Sequence, residues 1–407
     1  MAGNFNLTDS SAVFKTKFGK LSENAYNSAN VMLGSIKKDY TFTGDEMKVV
    51  VPTFFSGGVG SGSLPQASVA SAAKATITAK KVYAVTEYDR EAVKAASSNE
   101  GAFVDGLKWN VQKTVEAFNR NASRILFADG TGALGTTSAA DFTDVTGTTF
   151  GVGDTASAII TAASWVEGYW EENDYVNVGT AADVLKVISV TPSTRTIVFE
   201  KISGTTDFTT GGAGTSKIIY MQNSKDNDPL GLKGVCDATT GSLYGVTVGR
   251  RWQATQIPAG GAGVGADILN ELILKVQYKC GKTPKKIVTS YTQYRKILNF
   301  LEDKKVYSVD PRSSELKGKV SFKGVEYISD SGPIGIFADK MCDDDRIYAV
   351  NDDFITAYHR PDFGWFDDDG TVFLRLQDSD AYGARYGGYF QNYIIPSFQG
   401  VITGLAT

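Results

Sequence analysis

The sequence holds a single histidine, His359, and only three cysteines, Cys236, Cys280 and Cys342, far apart from one another. One imidazole excludes a multi-histidine metal site, and a serine triad would have to use that residue. No cysteine pair has the spacing of a zinc site or redox motif, and an odd, scattered set does not build a secreted disulfide framework. No apolar run approaches the ~20 residues that span a bilayer, so no membrane partner is expected. The opening MAGNFNLTDSSAVFKTKFG lacks the apolar core of a signal peptide, and synthesis in the cytoplasm is the expectation. Basic residues are not in excess either: 41 Lys and Arg stand against 45 Asp and Glu, a formal net charge of -4. General nucleic-acid binding needs clustered cations to neutralise phosphates, and this balance argues against it.

What remains is an ordered, strand-forming composition. The chain has 407 residues, enough for two or three substantial cores. Hydrophobic residues make up 42% and charged residues 21%, which places it outside the disordered class. The 43 glycines, with many Thr, Ser, Val, Tyr and Phe, favour strands and turns over a helix bundle.

Along the chain, residues 1–46 scatter Phe5, Phe14, Phe18, Tyr26, Tyr40 and Phe42 among polar residues, with a short helix expected near Leu21–Ile36. Such a segment buries little alone, so it is a flexible tail or an arm lying on a neighbour. Strands are expected at Met47–Phe55 and Ala75–Val85. The Gly/Ser-rich connection between them is long for a compact domain and suits a projecting hairpin. Ser97-x-x-Glu100 reads as a capping box. Phe103, Leu107, Val111, Val115, Phe118, Ala122 and Ile125 then form one apolar stripe, and Asp129-Gly130 stops it. The predicted helix, Glu100–Phe127, would be about 42 Å long. Five short strands follow (Ala156–Trp165, Tyr175–Val178, Val184–Val190, Thr196–Ile202, Lys217–Gln222), the pattern of a small inserted β-barrel. A mixed region comes next: helices over Asp267–Cys280 and after Ser290, and strands at Lys286–Thr289, Val320–Ile328, Arg346–Val350 and Phe354–Tyr358. The β-rich C-terminal run returns the chain to an earlier sheet.

No pattern here carries catalysis. His359 sits in the aromatic stretch YHRPDFGWF with no nucleophile elbow in the chain, so a packed or surface role is expected. SGGVGSGS, residues 56–63, lacks the Lys-Ser/Thr ending of a P-loop. GAGVGA, residues 261–266, fits G-x-G-x-x-A before a helix, but QATQIPAG ahead of it does not read as a buried strand and no acid follows to hold a ribose. The acidic runs Asp343–Asp345, Asp352–Asp353 and Asp367–Asp369 lack the alternation of a calcium loop and read as solvated turns. Glu167, Glu171 and Glu172 are not fixed across a cleft as glycosidase acids would be. No enzyme activity, cofactor or metal is expected.

The order of parts and several phrases carry a resemblance. Val85-Thr86-Glu87-Tyr88-Asp89-Arg90 precedes the long helix, Arg120–Gly132 (RNASRILFADGTG) ends it, and Leu230–Val235 (LGLKGV) and Asp378–Ile402 follow. With these, nearly the whole chain resembles the major capsid proteins of tailed bacteriophages, the Hong Kong 97-like fold. The implied fold class is α+β, with a long spine helix, an extended β-hairpin loop and an inserted small β-barrel domain. The resemblance implies an N-terminal arm at 1–46, an extended hairpin loop at 47–85 and a peripheral domain with the spine helix at 86–135. It places an inserted β-barrel at 136–228, an axial domain at 229–370 and a return to the peripheral domain at 371–407.

By the same resemblance the protein would be a virion component that self-assembles into hexamers and pentamers of an icosahedral or prolate phage head enclosing double-stranded DNA. Its partners would be further copies of itself, portal and scaffold proteins, decoration proteins, and packaged DNA held without sequence specificity. The mildly acidic balance suits an inner wall that does not adhere to a packed polyanion. Phe54, Phe55, Leu64, Lys80 and Lys81 are the candidate subunit contacts on the hairpin. Some relatives form a Lys–Asn crosslink, but nothing assigns that chemistry to Lys80 or Lys81. An encapsulin-type shell is the alternative within the fold. A β-rich carbohydrate-binding or hydrolytic protein, with Trp165 and Trp170 lining a cleft, is the alternative outside it.

Overall fold

The computed structural model describes residues 32–52, 72–89, 100–147, 149–180, 182–302, 325–329, 332–360, 362–367, 370–376 and 380–407. Met32–Ser35 form a turn, so the helix expected near Leu21–Ile36 does not reach its predicted end; residues 21–31 lie outside the described residues. After β1 (Lys37–Asp39), strands β2 (Glu46–Pro52) and β3 (Ala72–Thr78) pair antiparallel from Glu46↔Thr78 to Pro52↔Ala72. The strand expected over Ala75–Val85 breaks at Ala79: β3 stays with β2, while β4 (Lys80–Asp89) joins another sheet. Burial parity records the break. The buried positions are odd in β3 (Ala75, Ile77) and even in β4 (Val82), because one residue drops out of the alternation.

Helix α1 spans Glu100–Phe127, as its periodicity predicts. Its stripe buries Val111, Val115, Phe118, Ala122 and Ile125. The capping-box residue Ser97 lies outside the described residues. Beyond α1 come β5 (Ala133–Thr136), β6 (Thr155–Ile159), β7 (Tyr175–Val178), β8 (Val184–Thr191), β9 (Thr196–Ser203) and β10 (Ile218–Met221). They make one sheet in the order β5-β10-β7-β8-β9-β6, one strand more than the pattern predicts. The strand expected over Ala156–Trp165 ends at Ile159, and 3-10 turns at Ala162–Ser164 and Glu167–Tyr169 replace its remainder. The outer strands meet through Ser138 N–H donating to the Ile159 carbonyl (2.8 Å) and Thr161 N–H to that of Thr136 (2.9 Å). The sheet thus closes around Val176, Leu185, Val187, Ile197, Phe199 and Ile219.

The chain continues through α2 (Leu232–Cys236), β11 (Ser242–Leu243), β12 (Val246–Thr247), β13 (Thr255–Pro258), α3 (Ala266–Cys280), β14 (Lys286–Thr289) and α4 (Tyr291–Glu302). It ends with β15 (Val325–Ser329), β16 (Gly332–Ala338), β17 (Ile347–Val350), β18 (Ile355–His359), β19 (Gly364–Trp365), β20 (Leu374–Arg375), β21 (Ala381–Ile394) and β22 (Gly400–Thr403). In a mixed sheet, β13-β22-β17-β14-β16-β15, the central strands are buried on both faces. One face carries Ile257, Ile287, Ile336, Ile347 and Ile402 under Leu269, Leu272, Ile273 and Val276 of α3. The other sends Val288, Tyr348, Val350 and Val401 into the core shared with α1. Continuous apolar strands such as Ile347–Val350 follow from that double burial.

The 14-residue β21 organises the remaining sheet. One edge pairs with β4 from Ala381↔Asp89 to Phe390↔Lys80, the return to an earlier strand that the C-terminal run predicts. The other edge takes β18, β19 and β20, and β1 lies parallel to β18 on the outside. Phe118 of α1 meets Tyr386 and Phe363 edge-on at 5.0 and 4.8 Å, fixing helix to sheet.

Where α2 meets the end of α1 the backbones nearly touch. A Cβ at Gly231 would lie 2.3 Å from the Ile125 carbonyl and 2.5 Å from that of Ala128. We expect Gly231→Ala to cost about 1–3 kcal/mol, the usual range for overpacking against backbone that cannot retreat. Urea unfolding of the variant, with an unchanged m-value, checks it.

Candidate interaction surface

The residues that sequence singled out for chemistry are occupied elsewhere. His359 is 1% exposed and ringed by Phe363 (4.7 Å), Phe390 (5.6 Å) and Tyr40 (5.6 Å). It is a packed residue. Burial drives its pKa down to about 4, with Lys38 pushing the same way and Asp362 opposing. The acidic runs are solvated only in part: Asp353 is exposed, while Asp343 is buried. Asp343 is buried and paired with Lys233 (2.8 Å) and Arg346 (3.2 Å), Asp352 with Lys286 and Asp353 with Lys285 (2.6 Å each). Residues 368 and 369 lie outside the described residues. Among the described residues no group of three His, Cys, Asp or Glu side chains could hold a metal ion.

The segment before GAGVGA is a strand after all, β13, at the edge of its sheet and parallel to β22. The loop itself is pinned by backbone bonds, Gly261 N–H to the Gly404 carbonyl (2.7 Å) and Ala262 N–H to that of Ala259 (3.0 Å). Those amides are not free to cradle a phosphate. Trp165 and Trp170 stack on each other at 6.2 Å, and Trp170 is buried; of the two, only Trp170 borders a cavity. Glu167, Glu171 and Glu172 do border a cavity of about 600 Å³ with Trp170, Asp339 and Lys340. Asp339 is pushed above its ordinary value by burial, against the opposing Met341 amide and Lys340 charge. Glu171 is already paired with Arg120 at 3.1 Å.

Sequence reading passed over two arginines on α1, one turn apart. Arg120 grips Asp174 at 2.5 Å, clamping the closed sheet to α1. Arg124 meets Asp228 at 2.6 Å, where the chain returns from that sheet. Their signal was two cations at i and i+4 inside an apolar stretch.

Of the predicted contact residues, Phe54, Phe55 and Leu64 lie outside the described residues. Lys80 and Lys81 belong to β4 rather than to the β2–β3 hairpin, because the chain changes sheets at Ala79. Lys80 Nζ donates to the Asp226 carbonyl at 3.3 Å, and Lys81 lies over the Tyr389 ring.

That strand carries the more informative surface. Its even positions, Val82 and Ala84, face the core under α1. Its odd positions, Lys81, Tyr83 and Val85, lie opposite Tyr389, Gly387 and Arg385 of β21 on the other face. There Tyr83, Phe366 and Tyr389 form a ring cluster with centroids 5.6–6.3 Å apart. Tyr83 is 42% and Val85 59% exposed. Burial and a hydrogen bond with Tyr389 push the Tyr83 hydroxyl up to about 12. Among the described residues β4 is paired along one edge only. The signal was readable: Val82-Tyr83-Ala84-Val85 is apolar at both parities, and a strand apolar on both faces asks for cover on both.

No protein-family model matches the sequence, and no curated protein matches it. Solved structures do. The chain of the cyanophage A-1(L) capsid asymmetric unit is 10% identical, with 92% of this chain and 93% of that chain aligned at a TM-score of 0.56. The capsid of the native GTA particle is 8% identical over 92% of this chain and 90% of that one, with a TM-score of 0.48. A virus-like particle from Pyrococcus furiosus is 7% identical over 96% and 99%, with a TM-score of 0.43. The cyanophage likeness, end to end, shows that this chain has the mixed α/β, sheet-rich fold of a phage capsid protein.

Proposed function

We propose that this protein is a major capsid protein of the tailed-bacteriophage kind, a structural subunit whose copies associate as hexamers and pentamers into a closed head around double-stranded DNA. The observation that carries this reading is the two-faced strand β4, set in a capsid fold: α1 covers one side, and the side carrying Tyr83 and Val85 is left exposed. In this reading α1 is the spine helix, the closed sheet from β5 to β10 is an inserted domain, and the region around α3 and α4 is the axial domain. The β2–β3 ribbon is the base of an extended loop, and its Gly/Ser-rich connection, with Phe54, Phe55 and Leu64, would lie on a neighbour. A two-stranded ribbon is not stable alone; Ala75 and Ile77 tie its base to this subunit's core, and the connection beyond would gain its order from the neighbour. Portal, scaffold and decoration proteins would be further partners, and DNA would be enclosed without sequence specificity by a chain of net charge -4.

Negative-stain microscopy with size-exclusion chromatography tests this. Wild-type protein, with its scaffold supplied, should give capsomers or closed shells. Deletion of residues 57–71 should leave the subunit folded with no closed shells. Val85→Asp should weaken each subunit contact about tenfold for each ~1.4 kcal/mol removed from it, and so lower particle yield. Normal particles from both variants would overturn the contact assignment, and a strictly monomeric wild type with scaffold present would overturn the shell reading.

A further inference from the structure

His359 is the only histidine of the chain, and its surroundings leave it no way to accept a proton in place. Both ring nitrogens are buried without a hydrogen-bond partner. Phe390 stacks beneath the ring with an interplanar angle of 14°, and Phe363 stands edge-on against it. The remaining side is closed by Tyr40, which is itself 53% exposed.

Tyr40 belongs to the segment that enters the described part of the chain. β1 just before it lies parallel to β18, with Lys37↔Thr356, Lys38↔Ala357 and Asp39↔Tyr358 in register. Beyond that ladder the segment packs Phe42 into the core and bridges to the β18 exit through polar side chains. The Tyr40 hydroxyl donates to Asp362 Oδ2 (3.0 Å), Lys38 lies 4.0 Å from Asp362, and Arg360 donates to the Gly44 carbonyl (2.9 Å) while facing Asp45 at 3.9 Å. Asp362 is the anion and Lys38 the cation that act on the imidazole across the β18 exit and β1. β21 presents the uncharged Phe390 ring to it, and the neighbouring Phe363 leads to Phe118 of α1.

We propose that His359 is an acid-sensitive latch for the segment 37–45: protonation of the imidazole opens the Tyr40 side of the aromatic box and releases β1 from β18. An imidazolium in this box would have two N–H donors and no acceptor. Aromatic faces return about 0.5–2 kcal/mol to a cation, less than the several kcal/mol that an unpaired buried charge costs. The Tyr40 side is the cheapest to open, because it is half exposed and backed by a three-residue strand. Phe390 and Phe363 are tied into β21 and the α1 core.

The sign follows from the lowered pKa. The folded segment binds fewer protons than the released one, so docking is complete above the ordinary histidine value of 6.5 and weakens as pH falls toward about 4. Across that window the opening constant rises by up to tenfold per pH unit.

Two measurements on the full chain decide it. In a sample labelled at histidine the lone imidazole gives one unambiguous NMR signal, expected to titrate below pH 5. Amide-exchange protection factors for residues 37–45, which correct for intrinsic rate, should fall steeply between pH 6.5 and 4.5 in wild type and stay flat in His359→Phe. An imidazole that titrates near 6.5 with the segment still protected would overturn the latch. So would wild-type protection independent of pH, or the same fall in the variant. If the variant does not fold, the wild-type curves still decide: the imidazole must titrate below pH 5 while protection of residues 37–45 begins to fall near pH 6.5.

Discussion

Arg124→Met is expected to destabilise the subunit by about 3–5 kcal/mol, because it strands a buried carboxylate. The Arg124 and Asp228 side chains are 2% and 6% exposed and 2.6 Å apart. Arg124 also donates from Nε to Asn121 Oδ1 at 3.0 Å, so its guanidinium spans α1 and the returning chain. Without it, Asp228 has neither water nor a cation, and the cost is the desolvation left uncompensated. The double variant Arg124→Met/Asp228→Leu should recover most of the loss, since apolar replacement of a whole buried pair is often near neutral. A double-mutant cycle in urea measures both numbers. A single-variant loss under about 1 kcal/mol, the range of an exposed pair, would show that water reaches the site. The position explains why the pair matters: it fastens the segment in front of α2 to the helix that the Gly231 contact also grips.

Lys201→Met should be comparably damaging, about 3–5 kcal/mol, but confined to the closed sheet. Lys201 is 1% exposed inside that sheet, with Nζ donating to the carbonyls of Phe150 (3.2 Å) and Thr206 (2.7 Å) and lying 3.3 Å from Asp183. Asp183 accepts from the Thr206 amide and hydroxyl. Burial raises its pKa, but the Thr206 bonds and Lys201 outweigh that and hold the carboxyl below its ordinary 3.8. The carboxylate therefore stabilises the fold fully above that value and loses its effect as pH falls through the lower folded one. Lys201→Met should remove part of this protection and raise amide exchange across β8 and β9 while leaving α3 unchanged. Adding Asp183→Asn, which keeps an acceptor for Thr206, should restore part of the loss. Uniform destabilisation of the whole chain would show that the closed sheet does not unfold as its own unit.

Much of this was legible locally. The α1 stripe gave both helix ends, since Val111, Val115, Phe118 and Ile125 repeat with the helical period and Gly130 follows. The Gly281 stop of α3 was equally plain, and its φ of 71° is the left-handed value that favours glycine. The contact face on β4 was legible in part: its apolar residues at both parities were visible, but Phe366 and Tyr389 come from segments about 280 or more positions away. The break at Ala79 was not legible, because ATITAKKVYAV alternates smoothly enough to read as one strand. Only pairing with β21 makes β4 a separate element. The sixth strand of the closed sheet was missed for a similar reason, since four residues at Ala133–Thr136 gain strand character from β10 and not from their own pattern.

Composition, hydrophobic period and turn residues determined by themselves that this is an ordered α+β chain with a long helix and many short strands, carrying one histidine and no recognisable catalytic pattern. Those properties depend on neighbours within a few residues, and sequence displays them directly. Tertiary structure alone decided which strands share a sheet, where burial parity flips, which carboxylates meet Arg124 and Lys201, and that His359 is sealed without a partner. Each of these depends on contacts between residues distant in sequence, whose free energy comes from burial and pairing that no local pattern specifies.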